Sequence, residues 1–129
     1  MVANGGGIYR TANALAPDTT TVTFTQSETW SSTSTSELTA EFAAIHPAGD
    51  TNATFYAAVG NLGGRVLRST DGGVTFTQRI DNNFCTPQCF YDIGIDVAPN
   101  DVNRVYLGGS PTLAFGRSTD GGATFTANA

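Results

Sequence analysis

The chain of 129 residues contains no lysine, and histidine, tryptophan and methionine occur once each. Its six basic residues are all arginines and face eleven acidic ones, which gives a formal net charge of −5. This balance argues against nucleic acid as a partner, because phosphate binding needs a positively charged face. The sequence has no apolar run of about 18 residues, so it predicts no membrane span. A basic stretch followed by an apolar one, the pattern of a signal peptide, is also missing.

One segment of the sequence occurs twice. The ten residues 68–77, RSTDGGVTFT, return at 117–126 as RSTDGGATFT, with nine positions identical and an interval of 49 residues. A fixed period of that size is typical of repeat architectures. Arg68 and Arg117 share a repeat position with Arg10, which favours a structural role for these arginines over substrate binding.

Shorter apolar runs extend the repeat in both directions. Residues 42–47 align with 94–99, residues 54–60 with 103–109, and residues 65–68 with 114–117. Each unit therefore contains four short runs separated by Gly, Asp, Asn and Pro, which predicts four antiparallel strands. Four strands in a repeat of this length are typical of a β-propeller blade. We label the strands a to d from the inside of the propeller outward.

A degenerate third copy opens the chain. It covers strands c and d only, at residues 8–26, with a longer loop at 12–21 in place of the tight turn. The sequence thus predicts an all-β fold of about two and a half blades, with a half blade at 8–26 and whole blades at 38–80 and 90–127. Because two and a half blades cannot close a ring, we expect a part of a larger propeller. The remaining blades would belong to the same polypeptide, a cleaved partner or other copies.

The doubled segment resembles the Asp-box, or BNR repeat, whose pattern is Ser/Thr-x-Asp-x-Gly-x-Thr-Trp/Phe. Boxes of this kind occur in sialidases, xyloglucan-active glycosidases, sortilin-type receptors and many secreted proteins. Residues 98–109 also resemble the stretch that leads into the box in secreted BNR-repeat proteins. The resemblance implies a β-propeller and a secreted, extracellular protein. Both boxes, 69–76 and 118–125, fit fully, and their pattern residues are Ser69, Asp71, Gly73, Phe76, Ser118, Asp120, Gly122 and Phe125.

The chemistry of the box indicates a structural turn. A short carboxylate such as Asp71 can accept hydrogen bonds from several backbone N–H groups that a tight turn leaves without ladder partners. Gly72 and Gly73 allow positive φ, and Phe76 would pack back on the hairpin. The alternative, a calcium loop, needs several acidic or amide ligands at alternating positions, whereas each box offers one Asp. The sequence therefore predicts neither a metal nor a cofactor.

In the family, ligand sites usually lie on the face opposite the boxes, formed here by residues 27–37, 61–64, 81–92 and 110–113. The segment 81–92 contains both cysteines, Cys85 and Cys89. In a secreted repeat protein we expect them to form a disulfide, with free thiols and a metal or redox pair as alternatives. A stiffened loop suits contact with carbohydrate or protein. Its candidate binding residues are Asn83, Phe84, Gln88, Tyr91 and Asp92. Alternatively, Phe90 and Tyr91 simply pack at the start of strand a.

The sequence predicts no catalytic residues. The Arg-bearing N-terminal motif of sialidases is missing, and Asp92 and Asp96 lie in one blade, so they cannot form a carboxylate pair across a channel. The expected function is a noncatalytic binding or structural module of a secreted BNR-repeat protein. One alternative is a fragment of a glycoside hydrolase whose catalytic residues lie in other blades. Another is a self-assembling extracellular adhesion or structural protein.

Overall fold

The computed structural model describes residues 1–4, 6–29, 39–60, 63–81, 83–109 and 113–127. Within these ranges the chain forms eleven strands in three antiparallel sheets and one short 3-10 helix, Thr19–Thr21. The predicted all-β chain with four-stranded antiparallel sheets is confirmed. The Ser/Thr-rich part of the predicted loop 27–37 lies outside the described residues. The strands are β1 Val2–Asn4, β2 Gly7–Arg10 and β3 Thr25–Thr29 in the first sheet, β4 Ala40–Ile45, β5 Thr54–Val59, β6 Arg65–Ser69 and β7 Thr77–Asp81 in the second, and β8 Ile93–Val97, β9 Val105–Gly109, β10 Leu113–Ser118 and β11 Thr126–Ala127 in the third.

The first sheet differs from the predicted two-stranded half blade. Its strand order is β1-β2-β3, and β1 pairs with β2 so that Val2 lies opposite Tyr9 and Asn4 opposite Gly7. The pairing of β2 with β3 matches that of β6 with β7, because Arg10 faces Thr25 as Arg68 faces Thr77. Strand β1 therefore takes the place of strand b. The expectation that this copy contains strands c and d only is wrong, because three residues suffice for a strand when a tight hairpin fixes their register.

The three sheets stack face to face, with the second sheet in the middle. Along β5 the side chains alternate, so that Tyr56 and Ala58 join one core cluster while Ala57 and Val59 join another. The first cluster lies between the second and third sheets and also contains Leu107. The other cluster lies between the first and second sheets. We call the Tyr56 side of the second sheet, and its equivalent in every sheet, the forward face, and the opposite side the backward face.

The inner strands of the second and third sheets, β4 and β8, contact each other. In both of these sheets the strand order is the chain order, from β4 to β7 and from β8 to β11. The two sheets therefore have the same direction from inner to outer strand.

The pairing registers correct the sequence alignment of the two repeats. Ser69 lies opposite Phe55 in the second sheet, whereas Ser118 lies opposite Val105 in the third. Tyr56 therefore corresponds to Tyr106, and not to Val105 as the alignment by apolar runs had it. The inner strands are displaced in the same way, because Ala43 pairs with Tyr56 while Asp96 pairs with Tyr106. A shift by one residue moves every side chain to the other face of a sheet, so the register decides which residues face the next sheet.

Side chains of one sheet also hold the turns of the next. Arg10 donates from Nε to the carbonyl of Gly72 over 2.8 Å, and Arg79 donates from Nε to the carbonyl of Gly121 over 3.0 Å. Between the second and third sheets, the Tyr56 hydroxyl donates to the carbonyl of Val102 over 2.7 Å. The Arg68 guanidinium lies over the Tyr56 ring, 5.6 Å from its centroid. These contacts fix the order in which the sheets stack.

Candidate functional site

The two doubled segments, 69–76 and 118–125, form turns that we call the Ser-Asp turns. In the first of them the Asp71 carboxylate accepts hydrogen bonds from the backbone N–H groups of Val74 and Thr75, each 3.0 Å long, and from the Thr75 hydroxyl over 2.6 Å. The Ser69 hydroxyl donates to Asp71 over 2.7 Å and accepts from the N–H of Gly73 over 2.9 Å. One carboxylate and one hydroxyl thus satisfy most of the backbone donors of the turn.

The second Ser-Asp turn repeats this geometry. Asp120 accepts from the N–H groups of Ala123 and Thr124, each over 2.9 Å, and from the Thr124 hydroxyl over 2.6 Å. Both glycines of each turn have positive φ, between 68° and 83°. A residue with a Cβ adopts such a φ only at a cost, so the glycines complete the turn.

The hydrogen bonds also set the electrostatics of these turns. Burial raises the pKa of Asp71, but the hydrogen bonds from Thr75, Ser69 and Val74 outweigh it and lower that pKa from 3.8 to about 2. For Asp120 the bonds from Thr124 are the main cause of a pKa that is likewise lowered to about 2. Both carboxylates are therefore ionised at neutral pH, with their oxygens engaged by N–H and O–H donors. Among the described residues no three His, Cys, Asp or Glu side chains cluster as metal ligands would.

The segment 83–92, which we call the disulfide loop, is tied to the turns between strands b and c of two sheets. Cys85 and Cys89 form a disulfide bond. The N–H of Cys85 donates to the carbonyl of Gly63, and the N–H of Leu113 donates to the carbonyl of Phe84. The loop therefore bridges the ends of the second and third sheets on the side away from the Ser-Asp turns.

Phe84 is buried beneath the disulfide loop and is not part of the surface of the loop. Its side chain is 1% exposed and belongs to the core cluster between the second and third sheets. The ring lies against the backbone of Gly64 and Gly109, and a Cβ on either glycine would overlap it. The assignment of Phe84 as a binding residue is therefore wrong, because a buried ring cannot reach a ligand. Phe84 was chosen from the sequence because it lies beside polar residues. The glycines that its ring contacts lie far away in the chain, so its burial was not evident from the sequence.

The other side of the loop presents an aromatic pair. Phe90 is 49% exposed and Tyr91 is 60% exposed, and their rings meet edge to face at 4.5 Å between centroids. The backbone N–H groups of Tyr91 and Asp92 both donate to the carbonyl of Gln88. The structure thus brings Gln88, Tyr91 and Asp92 together in one turn. This exposure shows that Phe90 and Tyr91 are not core packing, and it is compatible with the alternative that they pack at the rim, at the start of strand a.

Asn83 lies on the same loop but on the far side of Phe84 in the chain. It is exposed, has a positive φ of 57°, and its side chain lies against Gly63. A left-handed backbone is more common for asparagine than for other residues with a Cβ. The side chain of Asn83 therefore lies where the loop meets the second sheet.

A cavity that the sequence did not indicate lies at the opposite end of the sheets. It has a volume of about 530 Å³ and lies between the turns that join strands a and b in the second and third sheets. These turns are bonded to the Ser-Asp turns, since Gly72 donates from its N–H to Ala53 and Gly121 to Asn103. The cavity is lined by Ile45, His46, Pro47, Ala48, Pro99, Asn100, Asp101 and Val102.

Comparisons with protein-family models, curated proteins and solved structures gave no significant match. The part of the chain that the structure describes contains no helix with the length and apolar character needed to cross a membrane.

Proposed function

We propose that the chain is a noncatalytic binding module of a secreted Asp-box repeat protein, that its sheets are β-propeller blades, and that it contacts carbohydrate or protein through the disulfide loop. The observation that carries the binding proposal is the exposed pair Phe90 and Tyr91 on a loop anchored by the buried Phe84. Aromatic rings that remain exposed on a rigid support are enriched among residues that dominate binding energy. The polar groups of Gln88 and Asp92 beside the rings would orient a ligand.

The stacking of the sheets supports the assignment as propeller blades. The second sheet is covered on both faces, and its inner strand β4 contacts the inner strand β8 of the third sheet. Sheets that repeat radially around an axis have their first strands close together in this way. The Ser-Asp turns supply the second support, because they match the Asp-box pattern in residue type and their carboxylates accept the backbone hydrogen bonds that such a tight turn needs.

The disulfide supports a location outside the reducing cytosol. Disulfides form and persist in oxidising compartments, and cytosolic ones in mesophiles are usually transient. Cys85 and Cys89 close a short loop and are both buried, which is the environment of a structural bond.

Affinity electrophoresis in native gels that contain soluble polysaccharides tests the binding proposal. We expect a polysaccharide to retard the wild-type chain, and Tyr91→Ala or Phe90→Ala to weaken the retardation about tenfold in dissociation constant. Val74→Ala is the matched control, because Val74 is an exposed apolar side chain on a Ser-Asp turn.

Retardation that both aromatic substitutions leave unchanged would reject the disulfide loop as the contact. Failure of every polysaccharide would reject the carbohydrate branch. The same three variants would then be compared on an array of extracellular protein domains, where loss of a signal in Tyr91→Ala and its retention in Val74→Ala would establish the protein branch.

A further inference from the structure

We propose that two copies of this chain associate head to tail, with the forward face of the third sheet of each copy packed on the backward face of the first sheet of the other. This inference rests on the blade arrangement in the proposed function and does not involve the disulfide loop. The pair would form a closed ring of six sheets.

The forward face of the third sheet repeats two of the residues with which the second sheet binds its neighbour. Tyr106 is equivalent to Tyr56, and Arg117 to Arg68, by their pairing across the strands. In the second sheet Tyr56 is fully buried, and its hydroxyl donates to the third sheet. In the third sheet Tyr106 is only partly buried, Arg117 is exposed, and Phe115, which stacks on Tyr106, is 42% exposed. The tyrosine and the arginine of this face are thus presented without a sheet over them in the described residues, and the exposed Asp96 stands where the second sheet has the buried Ala43.

The backward face of the first sheet resembles the backward face of the third sheet, which packs against the second sheet. Phe24 precedes Thr25 as Phe125 precedes Thr126, and both threonines pair with the arginine of strand c. Phe125 packs into the core cluster between the second and third sheets, whereas Phe24 is 49% exposed. Val2 and Tyr9 lie opposite each other on the same side of this sheet, turned away from the buried Ile8. Val2 is exposed as well.

The two outer faces complement each other in shape. The forward face of the third sheet contains a shallow, mainly apolar depression of about 250 Å³, lined by Tyr106, Phe115 and Asp96 and by the glycines 94 and 108. In the interior interface Phe125 packs against the core cluster that contains Tyr56 and Val66, which are the equivalents of these two aromatic residues. Phe24 of a second copy would occupy the depression in the same way.

The outer faces also match in charge. Arg10 reaches forward to the c–d turn of the next sheet, where it binds the carbonyl of Gly72. Arg117 holds the equivalent position in the third sheet, so in the dimer it would reach the c–d loop of the partner's first sheet. That loop contains Asp18, whose carboxylate is exposed.

The number of sheets selects the dimer among head-to-tail assemblies. A head-to-tail interface generates a ring where the rotation closes and an open filament where it does not. The described residues of each copy form three sheets. Two copies give six, which is within the usual range of about four to eight blades, whereas three copies give nine.

Sedimentation equilibrium of the 129-residue chain over a range of concentrations tests the proposal. We expect a reversible equilibrium that ends at twice the chain mass of 13.4 kDa. A folded species that stays monomeric at every concentration, with an unchanged circular dichroism spectrum, would overturn the dimer while leaving the disulfide loop and its ligand untouched. Species that grow beyond the dimer would overturn the closed ring.

Two charged substitutions distinguish head-to-tail pairing from pairing of identical faces. Phe115→Asp places a charge on the forward face of the third sheet, and Phe24→Asp places one on the backward face of the first sheet. Each substitution should raise the dimer dissociation constant about a hundredfold. An equimolar mixture of the two variants should recover dimers, because one intact interface remains between them. Val74→Asp, at an exposed apolar position away from both faces, should dimerise like the wild type. Loss of dimers in only one of the two variants, or no recovery in the mixture, would overturn the head-to-tail arrangement.

Discussion

At the scale of single residues, each Ser-Asp turn depends on one carboxylate. Asp71 accepts bonds from two backbone N–H groups and two hydroxyls, and Asp120 does the same in the second turn. The sequence was sufficient to predict this role, because a short acceptor, two glycines and a serine at fixed spacing define the turn locally. Such a turn needs no information from the rest of the chain.

Asp71→Ala should destabilise the chain by about 1–2 kcal/mol, as the loss of a capping side chain does. The substitution removes the acceptor of the Val74 and Thr75 N–H groups, which can then form hydrogen bonds only to water. Urea unfolding followed by circular dichroism measures the difference, with Asp50→Ala as the control at an exposed carboxylate. Equal unfolding midpoints for the two variants would contradict the assigned role.

The depressed pKa values predict how stability depends on pH. Both carboxylates have a pKa of about 2 in the folded chain, below the ordinary value of 3.8. Their contribution is therefore fully present above pH 3.8 and is lost as the pH falls toward about 2. Urea midpoints measured over this acidic range should fall less steeply in Asp71→Asn and Asp120→Asn than in the wild type. Parallel curves for all three chains would contradict the prediction.

At the scale of elements, the disulfide loop shows what local reasoning reaches and what it misses. The two cysteines, together with the secreted location that the resemblance implies, led us to expect the bond, and the polar residues around them to expect an exposed loop. The burial of Phe84 was not predictable, because the ring is received by Gly64 and Gly109, which lie 20 positions before it and 25 after it. The same limit applies to β1, whose three residues form a strand only through their register with β2.

Gly109→Ala should destabilise the chain by about 1–3 kcal/mol, because the new methyl group would overlap the Phe84 ring. Gly108→Ala is the matched control, since its nearest neighbour would be the carbonyl oxygen of Ala114 at an ordinary 3.5 Å. Neither glycine has a positive φ, so backbone strain does not enter the comparison. Thermal unfolding of both variants measures the effect, and an equally stable Gly109→Ala would show that Phe84 is not held there.

At the scale of the whole molecule, the order of the sheets follows from alternation along the strands. Identity between the repeats located the Ser-Asp turns but set strand b one residue out of register, because Ala, Val and Gly runs align equally well in either position. The cross-strand pairs resolve this and place Tyr56 and Tyr106 at equivalent sites. One tyrosine lies inside the stack and the other on its outer face. The difference in exposure between these two tyrosines therefore allows the stacking of the sheets to be tested.

Hydroxyl-radical footprinting of the dilute chain, read residue by residue by mass spectrometry, tests the stacking of the sheets most directly. Tyr56 is fully buried because the third sheet covers it, whereas Tyr106 occupies the same position on a face that none of the three described sheets covers. The stack predicts that Tyr106 is oxidised rapidly and that Tyr56 is protected until the chain unfolds. Equal oxidation of the two tyrosines in the folded chain would contradict it.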